Sequence, residues 1–376
     1  MKKTVNLLLD SGEFSAWRRG TSIDLKKYIA YIKENEKYLF GYVNVDKIPG
    51  VFGQPRTMKE VQESAKIGYN NLQKMKDAGL SPIPVFHQGE SFDWLERMLK
   101  DGERYIGISS SKDLWANEQR MWLDQVFTLL TDSKGRPLIK THGFGITRPA
   151  FIFRYPFYTC DSTAWSLAPG YGSILIPPFE NGKYNYLKQP TKFVLSGVTH
   201  KSPSSQKKQF EGQGPKIQEV ITKFLEHEGR VSVTEARYGT SMRRQVMLIY
   251  YLNLGKALAN IQFTERKPGS LLDHAKIAHK INRVKFDHLR IMFASNLNKE
   301  WSLMMNELGC HDRLLSYWEL KDKPSEVLQN YVKDGIHAPY NKKMPKADWN
   351  SEAYRNHRRL QTYKNVEKYR AEDGSA

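Results

Sequence analysis

The stretch Val5-Asn6-Leu7-Leu8-Leu9-Asp10-Ser11-Gly12-Glu13-Phe14 decides how the chain is read. A short apolar run stops on a carboxylate and passes straight into a Ser-Gly turn. Runs of this length, bounded by turn residues, are the pattern of parallel strands whose two faces are both covered. Five later runs repeat it. Residues 39–45 end at Asp46, 83–86 at His87 and Gln88, and 105–108 at Ser109. Residues 138–139 run on through Lys140 and Thr141 to His142, and 157–160 end at Asp161.

Helical patterns fill the gaps. Leu25, Tyr28, Ile29 and Ile32 share one face of a helix over 24–34. Thr57 and Glu60 form a capping box for a helix running to Ala78, where Gly79 stops it. Ser91 or Phe92 opens a helix to about Lys100, and residues 115–131 make another. Alternating strands and helices with short connections predict an α/β fold on a parallel sheet. A TIM-like (β/α)8 barrel over residues 1–198 is expected rather than an open sheet. No GxGxxG follows the first strand, and the polar strand ends do not gather at one switch point. In a barrel, all the C-terminal strand ends converge on one mouth, where active sites are built.

Residues 173–176 and 192–195 are strand-like, with Glu180-Asn181-Gly182-Lys183 between them as a hairpin turn. They are expected to complete the barrel. Residues 199–214 have the composition of an exposed loop. Helical patterns follow over 215–228, 241–259 and 287–308. From Lys333 the chain turns polar, basic and aromatic. There Lys342, Lys343, Arg355, Arg358 and Arg359 interleave with Tyr340, Trp349, Tyr354 and Tyr363. Residues 199–376 therefore read as a basic, mainly helical nucleic-acid-binding region, with those five cations as backbone contacts.

The bulk composition agrees with a polyanionic partner. The 376 residues carry a net charge of +18 and a pI near 9.6. Each Lys or Arg that neutralises a phosphate releases a condensed counterion. The two cysteines, Cys160 and Cys310, form no CxxC pair, which argues against a disulfide framework and a structural zinc. Asp10 interrupts the first apolar run too early for a signal peptide, and no stretch reaches membrane-spanning length. A soluble, cytoplasmic protein is expected.

Each strand end also fits ordinary local chemistry. Asp10 suits a turn before Ser-Gly, Asp161 or Ser162 a helix cap, and Asp46 a pair with Lys47. Gln88 offers a donor and an acceptor to a heterocycle edge, and Gly89 lets a ligand approach the backbone. Five such signals on consecutive strand ends are hard to ascribe to turns alone.

Laid out in this order, residues 4–165 resemble the tRNA-guanine transglycosylase superfamily. The nearer likeness is to its phage and bacterial DpdA-type branch, which places 7-deazaguanine bases in DNA as an anti-restriction modification. Asp10-Ser11-Gly12-Glu13-Phe14 is similar to the superfamily's Asp-Ser-Gly-Gly-Phe/Tyr, in which the Asp is a general base and the aromatic sandwiches the substrate base. The resemblance places Asp46, His87, Gln88 and Gly89 in the base pocket. Gly107 and Ile108 match a strand whose backbone touches the base. His142-Gly143-Phe144-Gly145 matches a covering loop, and Asp161 falls at the nucleophile's position. Glu13 stands where the family has Gly, and His142 where it has Met. The Cys-rich zinc motif of the tRNA-acting enzymes is absent, which favours DNA. Two strands that precede the Asp-Ser-Gly motif in those enzymes are missing ahead of it here, as a circular permutation would arrange.

The resemblance implies exchange of guanine for a 7-deazaguanine base such as preQ0, with the base as co-substrate and no metal or redox cofactor. Asp161 would form a covalent ester with the deoxyribose, and Asp10 would deprotonate the incoming base. The partner would be DNA, single-stranded or with the target nucleotide flipped out of a duplex. Three alternatives stay open: a tRNA-acting transglycosylase, a base-excising glycosylase on the same barrel, and a non-catalytic nucleic-acid-binding protein.

Overall fold

The computed structural model describes residues 5–54, 56–111, 115–132, 135–197, 209–258 and 289–336. Its main sheet has eight strands. They are β1 (Asn6–Asp10), β2 (Leu39–Tyr42), β3 (Val85–His87), β4 (Tyr105–Ser109), β5 (Lys140–Phe144), β6 (Thr159–Ser162), β11 (Arg290–Ala294) and β12 (Asp312–Ser316). In space the order is β2-β1-β12-β11-β6-β5-β4-β3, and every pairing is parallel. Val43, just past β2, and Ile83, just before β3, form a further parallel bridge. Ile83 N donates to Tyr42 O at 2.8 Å, and Asn44 N to Ile83 O at 2.9 Å. The two end strands of the order thus meet, and the sheet curls back on itself.

The strand period of two divides each apolar run between two cores. Leu8, Val43, Ile83, Val85, Met292 and Leu314 pack together on the inner face, with Phe40, Tyr105 and Phe144 against them. Leu7 and Leu9 point the other way, into a cluster with Tyr28, Ile32, Tyr331 and Val332 of the surrounding helices. Burial on both faces is why these strands read as unbroken apolar runs. At the N-terminal end of the inner face, Arg290 pairs with Asp312, which also accepts from Asn6 Nδ2 at 3.0 Å. The Arg290 guanidinium lies 4.7 Å from the Phe40 ring centroid.

Local signals place the helices where the sequence puts them. They are α1 (Glu13–Trp17), α2 (Leu25–Asn35), α3 (Met58–Asp77), α4 (Phe92–Lys100) and α5 (Ala116–Leu130). Asp24 caps α2 by accepting from Lys26 N and Lys27 N. Thr57 and Glu60 close the capping box of α3. A short α6 (Pro149–Ile152) follows β5, and α7 (Ala164–Gly170) follows β6.

Two expectations fail. The strands β7 (Ser173–Ile176) and β10 (Thr191–Val194) do not complete the main sheet; they pair antiparallel with each other. Its last two strands lie more than a hundred residues further on, at β11 and β12. Arg290–Ala294 was expected at the start of a helix over 287–308, yet the helix begins only at Lys299. Runs of three or four apolar residues carry no usable period. Arg290 and Asp312, which look like solvent-facing charges in sequence, neutralise each other on the inner face.

The chain forms two compact units. One holds the described residues through 162 together with 289–302 and 311–336; the other holds 163–258 and 303–310. The first unit's leading segment ends at Ser162. In the second unit, β8 (Phe179–Glu180) and β9 (Lys183–Tyr184) form the expected hairpin, with Asn181 and Gly182 both at positive φ. Its central helix, Thr240–Ala257, buries Arg243. That guanidinium donates to the carbonyls of Pro169, Ala236 and Arg237 at helix C-termini. Among the described residues no helix is long and apolar enough to cross a membrane.

Candidate active site

The mouth at the C-terminal strand ends gathers carboxylates from three strands. Asp10 is the last residue of β1, and Gly12 turns the chain away with φ +81° into α1. A Cβ at Gly12 would lie 2.4 Å from Ser316 Oγ and 2.8 Å from the Trp318 side chain, so both the dihedral and the space require glycine. Burial raises the Asp10 carboxyl to about 7. The charges of Asp46 and Asp161 push it the same way, against backbone N–H groups of Gly12 and Ser11 that donate to it. Asp10, Asp46 and Asp161 therefore sit close enough to feel one another's charge.

Asp46 does not pair with Lys47. Its Oδ2 lies 2.7 Å from His87 Nε2, while His87 Nδ1 lies 2.8 Å from Glu90 Oε1. Burial works against a charged imidazole, but the carboxylates of Glu90 and Asp46 outweigh it and raise His87 to about 10. His87 is thus an imidazolium held between two acids. Lys47 instead reaches Glu13 at 3.3 Å, and Glu13 also accepts from Ile23 N. Burial raises the Glu13 carboxyl, and the Ile23 N–H and Lys47 oppose that rise. Glu13 is thereby a buried brace for the loop.

Asp161, on β6, is 9% exposed. Its Oδ1 accepts from Gly145 N at 2.9 Å and lies 3.3 Å from His142 Nε2. His142 is fully buried and held by Thr159 Oγ1 at 2.7 Å from Nδ1, and that hydroxyl in turn bonds the Tyr105 hydroxyl. Among the described residues, Oδ2 of Asp161 carries no hydrogen bond. The carboxylate is fixed through one oxygen and open at the other.

The remaining predicted positions divide. Phe14, on the first turn of α1, is 43% exposed, with its ring 5.8 Å from that of Trp17. Gln88 is committed to the backbone, since its Oε1 accepts from Ser111 N at 3.1 Å. The Gly89 carbonyl accepts from Gln62 Nε2 at 3.3 Å. At Gly107 a Cβ would come within 2.4 Å of Phe144 Cε2, so its hydrogen makes room for the ring packed against His142. Ile108 is fully buried and alternates with Gly107, which turns its side chain off the inner face. Gly143 lies beside Cys160 in register. Lys342, Lys343, Arg355, Arg358 and Arg359 lie outside the described residues. Glu90, Thr159 and Tyr105 were not foreseen. Only Glu90 had a signal, its spacing of three from His87 around a glycine turn.

Among the described residues, no group of three or more His, Cys, Asp or Glu side chains is arranged to hold a metal ion. Comparison of the chain with protein-family models, curated proteins and solved structures finds no match in any of the three.

Proposed function

We propose that this chain exchanges guanine in DNA for a 7-deazaguanine base through a covalent Asp161–deoxyribose intermediate. The observation that carries the reading is the pairing of Asp10 and Asp161 at one mouth, one acid poised near neutrality and the other fixed with an open oxygen. Asp161 Oδ2 attacks C1′ as the C1′–N9 bond breaks, and Asp10 gives its proton to the departing guanine. The incoming base then loses its N9 proton to Asp10, and its N9 displaces Asp161 from C1′ with overall retention. A carboxyl near 7 serves both directions of this transfer. His87 holds Asp46 through Oδ2, which orients a carboxyl group that could accept from the N–H groups of a guanine-like edge.

The sheet fits a TIM-like barrel of permuted order. The two strands that the tRNA-acting enzymes place ahead of the Asp-Ser-Gly motif would correspond to β11 and β12, which follow Asp161 in sequence and lie between β1 and β6 in space. The basic C-terminal stretch would clamp the DNA backbone.

The test is incubation of the full chain with guanine-containing DNA and labelled preQ0, with tRNA in parallel. Label is expected in DNA and not with Asp161→Ala. Absence of label from both substrates, with folded protein, overturns the reading. Release of guanine leaving abasic sites replaces it with a base-excising glycosylase.

A further inference from the structure

The loops beside Asp10 carry aromatic rings with a cation resting on nearly every one. Arg56 lies 5.1 Å from the Trp17 ring, Arg18 5.1 Å from Phe52, Arg19 5.2 Å from Trp318, and Lys321 3.7 Å from the same Trp318 ring. Phe52 packs edge-on against Trp17 at 5.2 Å, and Trp17 Nε1 anchors the loop by donating to Gly50 O at 2.7 Å. These residues lie on the segments that follow β2, β1 and β12, three strands adjacent in the sheet, so they border one arc of the mouth. Phe52 is 49% exposed, and Val51 beside it 60%. Over residues 12–20, 47–56 and 316–322 there are five Lys and Arg against three acids, with Lys47 paired to Glu13 and Lys321 to Asp322.

We infer that this arc is a stacking rim for unpaired polynucleotide, holding the nucleotides next to the one whose base enters the mouth. The inference rests on the proposed function for its orientation, and on the rim's own chemistry for its ligand. An exposed aromatic costs hydration that a base face recovers by stacking, and each base so stacked is held regardless of its identity. The cations are positioned for the rest of the nucleotide. Trp17 is buried beneath Phe52, and the Arg18 guanidinium on the exposed Phe52 ring gains little there and can present its N–H edge to a phosphate while the free ring face takes the base. A paired base in a duplex shows no free face, so the rim selects strands that are single or locally opened. An acidic protein would use the cations but leave the rings uncovered.

The experiment measures anisotropy of labelled single-stranded DNA, single-stranded RNA and duplex DNA with the full chain, for Phe52→Ala, Arg18→Ala and Ile67→Ala. Ile67 is a similarly exposed apolar residue in the middle of α3, outside the three segments that carry the rim. Phe52→Ala and Arg18→Ala should each weaken single-strand binding by about tenfold, with Ile67→Ala unchanged. Loss on either single strand supports the rim. Unchanged affinity of both rim variants for both strands overturns it, as does an equal loss on duplex DNA. Rim-dependent binding without base exchange by the parent protein defeats the proposed function alone. Exchange by a parent whose rim variants bind and react normally defeats the rim alone.

Discussion

His87 Nε2 lies 2.7 Å from Asp46 Oδ2, and the other ring nitrogen is taken up by Glu90, so one imidazolium joins the ends of β2 and β3. Three ionisable groups would be costly to bury singly. Together they form a chain in which each charge has a hydrogen-bonded partner. Its consequence for the site is that Asp46 is held in one orientation by the His87 ring.

This arrangement fixes a pH dependence. Because His87 titrates higher folded, near 10, than its ordinary 6.5, the stability it contributes is full below pH 6.5 and is lost as pH rises through about 10. His87→Gln should therefore destabilise by about 3 kcal/mol at pH 6, with the difference shrinking steadily toward pH 10. Urea unfolding of both proteins across that range measures it. A difference that does not change with pH would show that His87 is not held as a cation.

Asp10 is shifted in the same direction, but here the favoured form is the neutral one. Its folded value near 7 lies above the ordinary 3.8, so its favourable contribution is complete below 3.8 and disappears as pH rises through 7. Above that pH the ionised group works against the fold. Asp10→Asn is expected to raise stability at pH 8 by on the order of 2 kcal/mol, to change little at pH 4, and to abolish base exchange. Thermal melts at the two pH values decide it. A lower melting temperature at pH 8 would contradict the assignment.

His142 is fully buried and touches Asp161 at Oδ1, the oxygen that also accepts from Gly145 N. His142→Ala should lower kcat by about a hundredfold while leaving KM for DNA nearly unchanged. His142→Gln, which can still donate toward Oδ1, should recover part of the loss. Steady-state kinetics separate this from a purely structural role, in which both variants would lose folded protein and retain normal kcat per folded molecule.

Gly12 and Gly107 are predicted to resist the smallest substitution. Gly12→Ala places a methyl group 2.4 Å from Ser316 Oγ at φ +81°, and should cost about 3 kcal/mol. Gly107→Ala drives the Phe144 ring away from His142 and should reduce base exchange as well as stability. Chemical denaturation, with exchange assayed on the folded protein, provides the comparison.

Local sequence alone located the first six strands to within a few residues, α2 to α5, and Asp10 and His87 as strand ends; Asp46 lies four residues past β2, and His142 and Asp161 lie within β5 and β6. These were legible because their causes are local. An apolar run ends on a turn, Thr57 meets Glu60 across one helical turn, and Asn181-Gly182 selects a hairpin. Long-range packing settled which strands complete the sheet, since β11 and β12 carry Arg290, Asp312 and Arg313, charges that look solvent-facing until their partners on other elements are known. It also decided which carboxylate each base meets. Asp46 finds His87 rather than Lys47, Glu13 takes Lys47, and Gln88 turns to Ser111. Partner choice depends on burial and on distances across strands, and neither is encoded in the spacing of residues along one of them.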